Sequence, residues 1–575
     1  MFQEPIRSEN HTDGLFISLH AGTFAFFVLH AVKHCSCGTG SVCGGAPVKN
    51  FIVWWIKRDL RVADNEALSA AVKLSHHSGR PLVAVWMSEP DACLAPEFHI
   101  RRERFVFECL QDLEPKLGAL NVPLILVDGP AEKVVECLVD LGMTHLFSHE
   151  ETGVLWTFER DTNVKKFCEM RGVDWHEFPT NGVVRRLASR NRWQAHYQGR
   201  MQSPLLTTPD RPAYLCSQNV DVICRTQRNG VRFFSWSERA QSEIAMNASR
   251  CFLVQQRGGE AVAHKLLHRF LQPNIHSSYV RSLSRPQDSQ FFSSRLSPYL
   301  AFGCISSRQI ITQLNLAKLN TDSSKRSLNA FQSRLAWRCH FIQKLENHPE
   351  MEDVEQNSAL KNLRPLMSPE EFERWCAGQT GVPLVDACLR SVHQTGFLNF
   401  RMRAMLMSFS THLMWRDWRE PSWDLARAFL DFEPGIHFSQ VQMQAAVTGN
   451  NQIRIYNPLK QSVEHDPDAK FIKNWVPELR SFTAKEIHTL SNLPRNYPSP
   501  IVDVDAAMTS ARERLFKLFK ADAVRSEAKK VQEKLGSRGG PLSWRGRTSQ
   551  RRKKADKGNE NLQPTLFDEY KFSES

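Results

Sequence analysis

Ser293, Ser294 and Ser297 stand just ahead of a short apolar run, Tyr299–Phe302. Hydroxyls and free backbone N–H groups at a helix start can hold a phosphate. The same serines can equally be plain helix caps. Nothing in the chain has the pattern of a nucleophilic triad or of an H-E-x-x-H zinc site. No G-x-G-x-x-G follows the first apolar run, so a dinucleotide crossing there is not expected. Near the amino terminus Cys35, Cys37 and Cys43 lie beside His30 and His34. They offer zinc ligands, but the usual pair of C-x-x-C hooks is absent, and an extra or disordered leader is the simpler reading of residues 1–49. Cys304, Cys339, Cys376 and Cys388 form no tight pairs. Neither an iron–sulfur cluster nor another metal site is expected.

The chain has 575 residues, 41% apolar and 23% charged, which suits two or three folded domains with tails. Its 14 cysteines show no framework spacing, which favours a reducing compartment. The longest apolar stretch, Thr23–Val32, contains His30 and follows Glu4, Glu9 and Asp13. It is too short for a membrane span and lacks the basic flank of a secretory signal.

From Phe51 the pattern changes. Continuous apolar runs at Phe51–Ile56, Pro81–Met87, Pro123–Val127 and His145–Ser148 read as buried strands. Helix-period segments at Glu66–Lys73, Arg101–Leu117, Ala131–Leu141 and about Trp156–Met170 separate or follow them. This alternation predicts an α/β domain with a parallel sheet over residues 50–185, whose ligands would sit at the carboxyl ends of the strands. Residues 186–255, polar and carrying Pro204, Pro209 and Pro212, read as a linker. Residues 256–500 have helical periodicity and predict an all-α domain. Residues 501–575 read as helical and then as a basic, disordered tail.

The net charge of +13 hints at a polyanionic partner. Much of it is local, because Arg525–Lys557 holds twelve Lys/Arg against three Asp/Glu. Arg551–Lys554 has the form of a nuclear-import or nucleic-acid patch, or of a merely solvated tail. Gln563–Phe567 has the form of a sliding-clamp peptide, a short and therefore cheap match.

The stretch Trp55-Ile-Lys57-Arg58-Asp59-Leu60-Arg61-Val-Ala-Asp64-Asn65 resembles the opening of the photolyase/cryptochrome family. Further blocks follow in that family's order: Ser293–Pro298 with Gly303, Trp337-Arg338, Trp375 with Gly378–Gly381, Pro383 and Val385–Ala387, Arg454–Pro458, and Trp475–Leu479. The resemblance covers roughly residues 50–500 and identifies a divergent branch. It implies an α/β antenna domain, then an all-α domain holding a U-shaped FAD. The implied chemistry is light-driven electron transfer, which in repair members splits a pyrimidine dimer flipped out of DNA.

The resemblance carries roles to single residues. It implies phosphate contact by Ser293, Ser294, Arg295, Leu296 and Ser297, and flavin contact by Tyr279. Arg338 would lie near the flavin and Trp337 would wall the flipped base, although core packing explains Trp337 nearly as well. Asn399, Arg401 and Arg403 match residues that meet the flavin and its carboxylate partner. Asp431 and Glu433 match the paired acids that face it. Asp386 and Arg390, one helical turn apart, have the form of a surface pair. Trp418 matches the middle member of the family's electron relay.

Departures accompany these matches. Arg334 stands where repair enzymes carry a Glu or Gln that accepts from the base, and an arginine has no acceptor. Leu398-Asn399-Phe400-Arg401 replaces Met-His-Asn-Arg. The tryptophan nearest the flavin is missing from Pro434–Gln444, while Trp415 and Trp423 lie nearby. These put the substrate and the reduction route in question. A second antenna chromophore, a folate, a deazaflavin or another flavin, is an open expectation. His149-Glu150-Glu151 stands at a suitable strand end, or in a solvated loop. DNA, damaged, is the expected partner of a monomer without a membrane segment, with a protein partner for the basic tail as a further option. The resemblance leaves two functions open: a photolyase, or a cryptochrome photoreceptor that signals through its flavin. A nucleic-acid-binding member without flavin is the third option.

Overall fold

The computed structural model describes residues 50–213, 217–238, 256–319, 325–451 and 453–536. The candidate zinc ligands before residue 50, Arg551–Lys554 and Gln563–Phe567 lie outside them.

Strand β1 (Phe51–Ile56) is buried at every position. It lies in a seven-stranded sheet whose order is β5 (Asp174–Phe178), β4 (Met143–His149), β1, β2 (Leu82–Ser88), β3 (Leu124–Asp128), β7 (Val231–Ser235) and β6 (Gln227–Arg228). Strands β2, β3, β4 and β5 run parallel to β1 and to one another. Helices α1 (Glu66–Ser78), α2 (Ile100–Ala119), α3 (Ala131–Asp140) and α4 (Leu155–Arg171) connect or follow these strands. A sheet covered on both faces needs apolar side chains pointing both ways. The two sides of β1 accordingly join different cores, Ile52, Trp54 and Ile56 in one and Phe51, Val53 and Trp55 in the other.

The segment read as a linker is structured in part. It carries a helix, Trp193–Gln202, and a hairpin, β6 (Gln227–Arg228) and β7 (Val231–Ser235). Strand β7 pairs antiparallel with β3, so the sheet is not wholly parallel. The hairpin buries Val231 and Phe233 beside Ile125 and Val127 and covers what would be an open edge. Polar residues around it obscure this short apolar signal.

From Glu260 onward the structure is helical up to Leu535. Helices α5 (Ser297–Ala301), α6 (Lys325–Asn347), α7 (Phe400–Ser408) and α8 (Pro434–Gln444) matter most below. Phe105 of α2 packs against Tyr299 and Phe302, both at 5.3 Å, so one apolar core continues from the sheet into the helices. No helix among the described residues is long and apolar enough to cross a membrane.

Most of the family-like blocks are scaffold. Asp59 accepts from Trp54 Nε1, from the Lys57 backbone N–H and from Asn65 Nδ2. His149 Nδ1 lies 2.8 Å from the same carboxylate. Burial alone would raise its pKa, but bonding to His149 and the nearby charges of His149 and Arg61 hold it below the usual range. Arg308 Nη2 reaches Asp64 Oδ1 at 2.6 Å, fastening the loop after β1 to the helical half. Asp386 accepts from the Thr380 and Gly381 backbone, the Thr380 hydroxyl and the Tyr497 hydroxyl. Arg390 does not pair with it. It donates to Gly378 O and to Glu478. Asn457 caps the helix Pro458–His465.

Candidate flavin cavity

A cavity of about 460 Å³ opens between α5, α6, α7 and α8. Sequence-selected residues lining it are Tyr279, Ser293, Ser294, Arg295, Ser297, Arg334, Trp337, Arg338, Asn399, Arg403, Asp431 and Glu433. Leu296, Arg401 and Trp418 are not among the lining residues. Leu296 is fully buried in the core. Arg401 Nε donates to Ser284 Oγ instead. The Trp418 Nε1–H points to Glu355 Oε1 at 3.4 Å.

Local backbone geometry explains the placement. Arg295 has a positive φ of 57°, which turns the chain between Ser294 and α5. Its guanidinium lies 3.5 Å over the Phe397 ring. Gly303, also at positive φ, follows α5, and a Cβ there would stand 1.9 Å from the Arg58 carbonyl oxygen. Only glycine allows this approach.

Two acid–arginine pairs frame the cavity. Arg403 Nη2 donates to both oxygens of Asp431 at 2.9 Å, and its guanidinium lies 3.9 Å over Phe429. Arg338 Nη2 donates to Glu433 Oε2 at 2.7 Å and to Leu300 O at 2.9 Å. The pair Asp431–Arg403 sits at one end of the short loop before α8, and Glu433–Arg338 at the other. In such pairs neither buried charge stands uncompensated.

Residues outside the sequence selection also contribute. His437 lines the cavity, and its Nε2–H donates to Ser422 O at 3.0 Å, leaving Nδ1 as an acceptor. Burial lowers its pKa to about 3, despite the bond to Ser422, so the ring is neutral at ordinary pH. Arg58 stands inside the opening motif without a role that the motif assigns, yet it bonds Glu433 from the α/β side. Phe400 lines the cavity at the position after Asn399. A stretch rich in small and polar residues beside the acids is the only sequence signal for His437 and Gln440.

The cavity's unmet polar atoms suit a dinucleotide flavin. Ser293 Oγ, Arg295 Nη1, Arg338 Nη1, Asn399 Oδ1, Glu433 Oε1 and both amide atoms of Gln440 are buried without a partner among the described residues. Such groups are costly unless a ligand meets them. Ser293 and Arg295 contribute donors, and Glu433 and Gln440 together contribute both acceptors and a donor.

Models of two protein families match the chain: DNA photolyase over residues 52–198 and the FAD binding domain of DNA photolyase over residues 331–517. The chain belongs to the photolyase/cryptochrome family. Its α/β half carries the photolyase fold, and its helical half is an FAD-binding domain. A deoxyribodipyrimidine photo-lyase of Vibrio cholerae is 27% identical over 474 residues, 78% of this chain and 96% of that protein. Cryptochrome-1 of Rattus norvegicus is 25% identical over 492 residues, 81% and 82% of the two chains. A class III photolyase of Agrobacterium tumefaciens shares the fold with a TM-score of 0.67 and 21% identity, covering 84% of this chain and all of that one. An archaeal photolyase of Sulfolobus tokodaii, solved with two FAD molecules, matches with a TM-score of 0.65 and 23% identity over 81% of this chain and 99% of its own.

This photolyase/cryptochrome family member has a second cavity, of about 210 Å³, at the carboxyl ends of β1 and β2. Trp55, Lys57, Ser88, Glu151, Trp156 and Arg160 are among its lining residues. Arg160 binds Glu89, Glu151 and Asp161 there, and Lys57 binds Asp161. His149 belongs instead to the buried Asp59 cluster.

Proposed function

We propose that the chain is an FAD-dependent, blue-light-driven DNA photolyase that splits pyrimidine dimers. The observation that supports this best is that one cavity unites serines at a helix start, two acid–arginine pairs and the Trp337 ring. When bound and reduced, the flavin would supply light-driven single-electron chemistry. The protein's own part is positional. Ser293, Ser294 and Ser297 offer hydroxyls to the pyrophosphate, and Arg295 adds a cation. Asp431 holds Arg403, and Arg338 with Arg58 holds Glu433, so these groups keep fixed directions in the cavity wall. His437 and Gln440 offer acceptor and amide groups on the wall formed by α8. Trp337, stacked with Phe341 at 5.6 Å, offers an aromatic face to a flipped base. Base stacking of this kind is worth about 1–3 kcal/mol.

A cryptochrome photoreceptor is the second reading, and Arg334 favours it. Arg334 lines the cavity and bonds the Tyr279 hydroxyl, where an acceptor for the base would be needed. The second cavity is proposed to take an antenna chromophore: a folate, a deazaflavin or another flavin.

Irradiated oligothymidine incubated with the protein under blue light and in the dark separates the readings. Loss of dimers in the light alone supports the photolyase. Undiminished dimers in both samples, with a flavin that responds to light, support the photoreceptor.

A further inference from the structure

Helix α6 presents Arg334, Trp337, Phe341 and Lys344 to the cavity, at intervals of three, four and three residues. That spacing places them along one helix face, over about 15 Å. Two cations thus bracket two stacked aromatic rings. Arg334 bonds Tyr279, but Lys344 has a different setting. Its residue is only 6% exposed, and it has no carboxylate or hydrogen-bond partner among the described residues. Its ammonium lies 5.6 Å from the Phe341 ring centre.

A second unpaired cation supports it. Arg190 is 8% exposed and donates from Nη2 to His340 Nδ1 at 2.7 Å. Its Nη1 is buried without a partner among the described residues. His340 packs edge-on against Trp337, with ring centres 5.2 Å apart, and lines the same cavity. Accepting from Arg190, its Nδ1 carries no proton, so the ring brings no charge. Burial, with the charge of Arg190, lowers the Lys344 pKa to about 8. Two buried cations without an acid partner are destabilising, and groups so placed are ordinarily matched by an anion.

We propose that Lys344, backed by Arg190, is a phosphate site that holds a phosphodiester of the nucleic acid beside a base stacked on Trp337. This rests on the reading that the cavity admits a nucleotide of DNA, and it adds which charge on this wall grips the backbone. Cations alternating with aromatic faces form the general platform for unpaired nucleotides. The other source of a phosphate near this cavity is the flavin's pyrophosphate, and the experiment separates the two.

Full-length holoprotein is titrated into fluorescein-labelled, irradiated single-stranded oligothymidine over a series of salt concentrations, with anisotropy as the readout. Wild type, Lys344→Gln and Lys344→Arg are compared, and the flavin-to-protein absorbance ratio of each is recorded. The expected result for Lys344→Gln is about tenfold weaker binding, with a salt slope shallower by about 0.7. Its flavin ratio should equal that of wild type, and Lys344→Arg should restore the affinity and the slope. Because removing an unmatched buried charge relieves strain on the fold, Lys344→Gln should melt no lower than wild type. Equal affinity and slope in wild type and Lys344→Gln would overturn the phosphate site while leaving the photolyase reading intact. Loss of flavin in Lys344→Gln would assign the cation to the cofactor and overturn it equally. An oligonucleotide that wild type fails to bind would overturn both.

Discussion

Arg58, two residues beyond β1, donates to Glu433 Oε2 at 2.9 Å, and Arg338 of α6 donates to the same oxygen at 2.7 Å. The loop after the first strand of the α/β half therefore reaches a carboxylate that lines the large cavity. Replacing Glu433 by Gln leaves two arginines facing a neutral amide. Removing one member of a buried ion pair costs about 3–5 kcal/mol. Because Arg58 is partly exposed, the lower end of that range is expected. Glu433→Gln should show a lowered Tm and reduced flavin retention after gel filtration. Full retention would mean that the carboxylate does not shape the site.

Gly303 makes the same junction sterically tight. Its φ is 69°, and the Arg58 carbonyl occupies the space that a Cβ would need, so alanine must move the backbone on one side. Gly303→Ala should destabilise by about 1–3 kcal/mol from the unfavourable φ alone, with the clash in addition. Urea unfolding measures the total. A variant as stable as wild type would show that the loop yields freely.

Glu89 predicts a pH effect. Burial raises its pKa to about 7, the charges of Glu151 and Asp161 add to the rise, and Arg160 opposes it. In the unfolded chain the value returns to the ordinary 4.5. Between these values the folded protein binds the proton more tightly. The contribution to stability is therefore fully present below about 4.5 and lost as pH rises through about 7. Glu89→Gln removes this dependence. On passing from pH 5 to pH 8, wild type should lose roughly 1–3 kcal/mol more stability than the variant. Parallel stability–pH curves would contradict the assignment.

Electron supply to the cavity gives a fourth outcome. The His437 ring lines the cavity and lies 5.1 Å from Phe438, which lies 4.9 Å from the half-buried Trp423. Trp418 is buried and does not line the cavity. Photoreduction of bound flavin in the presence of a thiol reductant should slow more in Trp423→Phe than in Trp418→Phe. The reverse order would return the relay to Trp418.

The chain's periodicity makes much of the fold legible. The runs at 51–56 and 123–127 mark β1 and β3 within a residue or so, because strands buried on both faces are apolar throughout. The edge strand β5, Asp174–Phe178, escapes because exposed Asp174 and His176 interrupt it. The same weakness hides β7. At the cavity, the serines, Arg338, Arg403 and both acids are picked out by the family resemblance, and the fold brings them into one lining. Arg58 acts on Glu433 across 375 positions, a relation that no local pattern encodes. Lys344 escapes for another reason. Lysine at helical spacing ordinarily marks a solvated face, and only packing reveals that this one is buried.

Flavin held between the Asp431–Arg403 and Glu433–Arg338 pairs is the central requirement of the proposed function. The decisive measurement is the visible absorption of full-length protein after incubation with FAD and gel filtration, with the double variant Arg403→Gln, Glu433→Gln alongside. A yellow wild type retaining close to one flavin per chain, beside a folded double variant that retains little, is predicted. A colourless wild type, or a double variant as yellow as the parent, would contradict it.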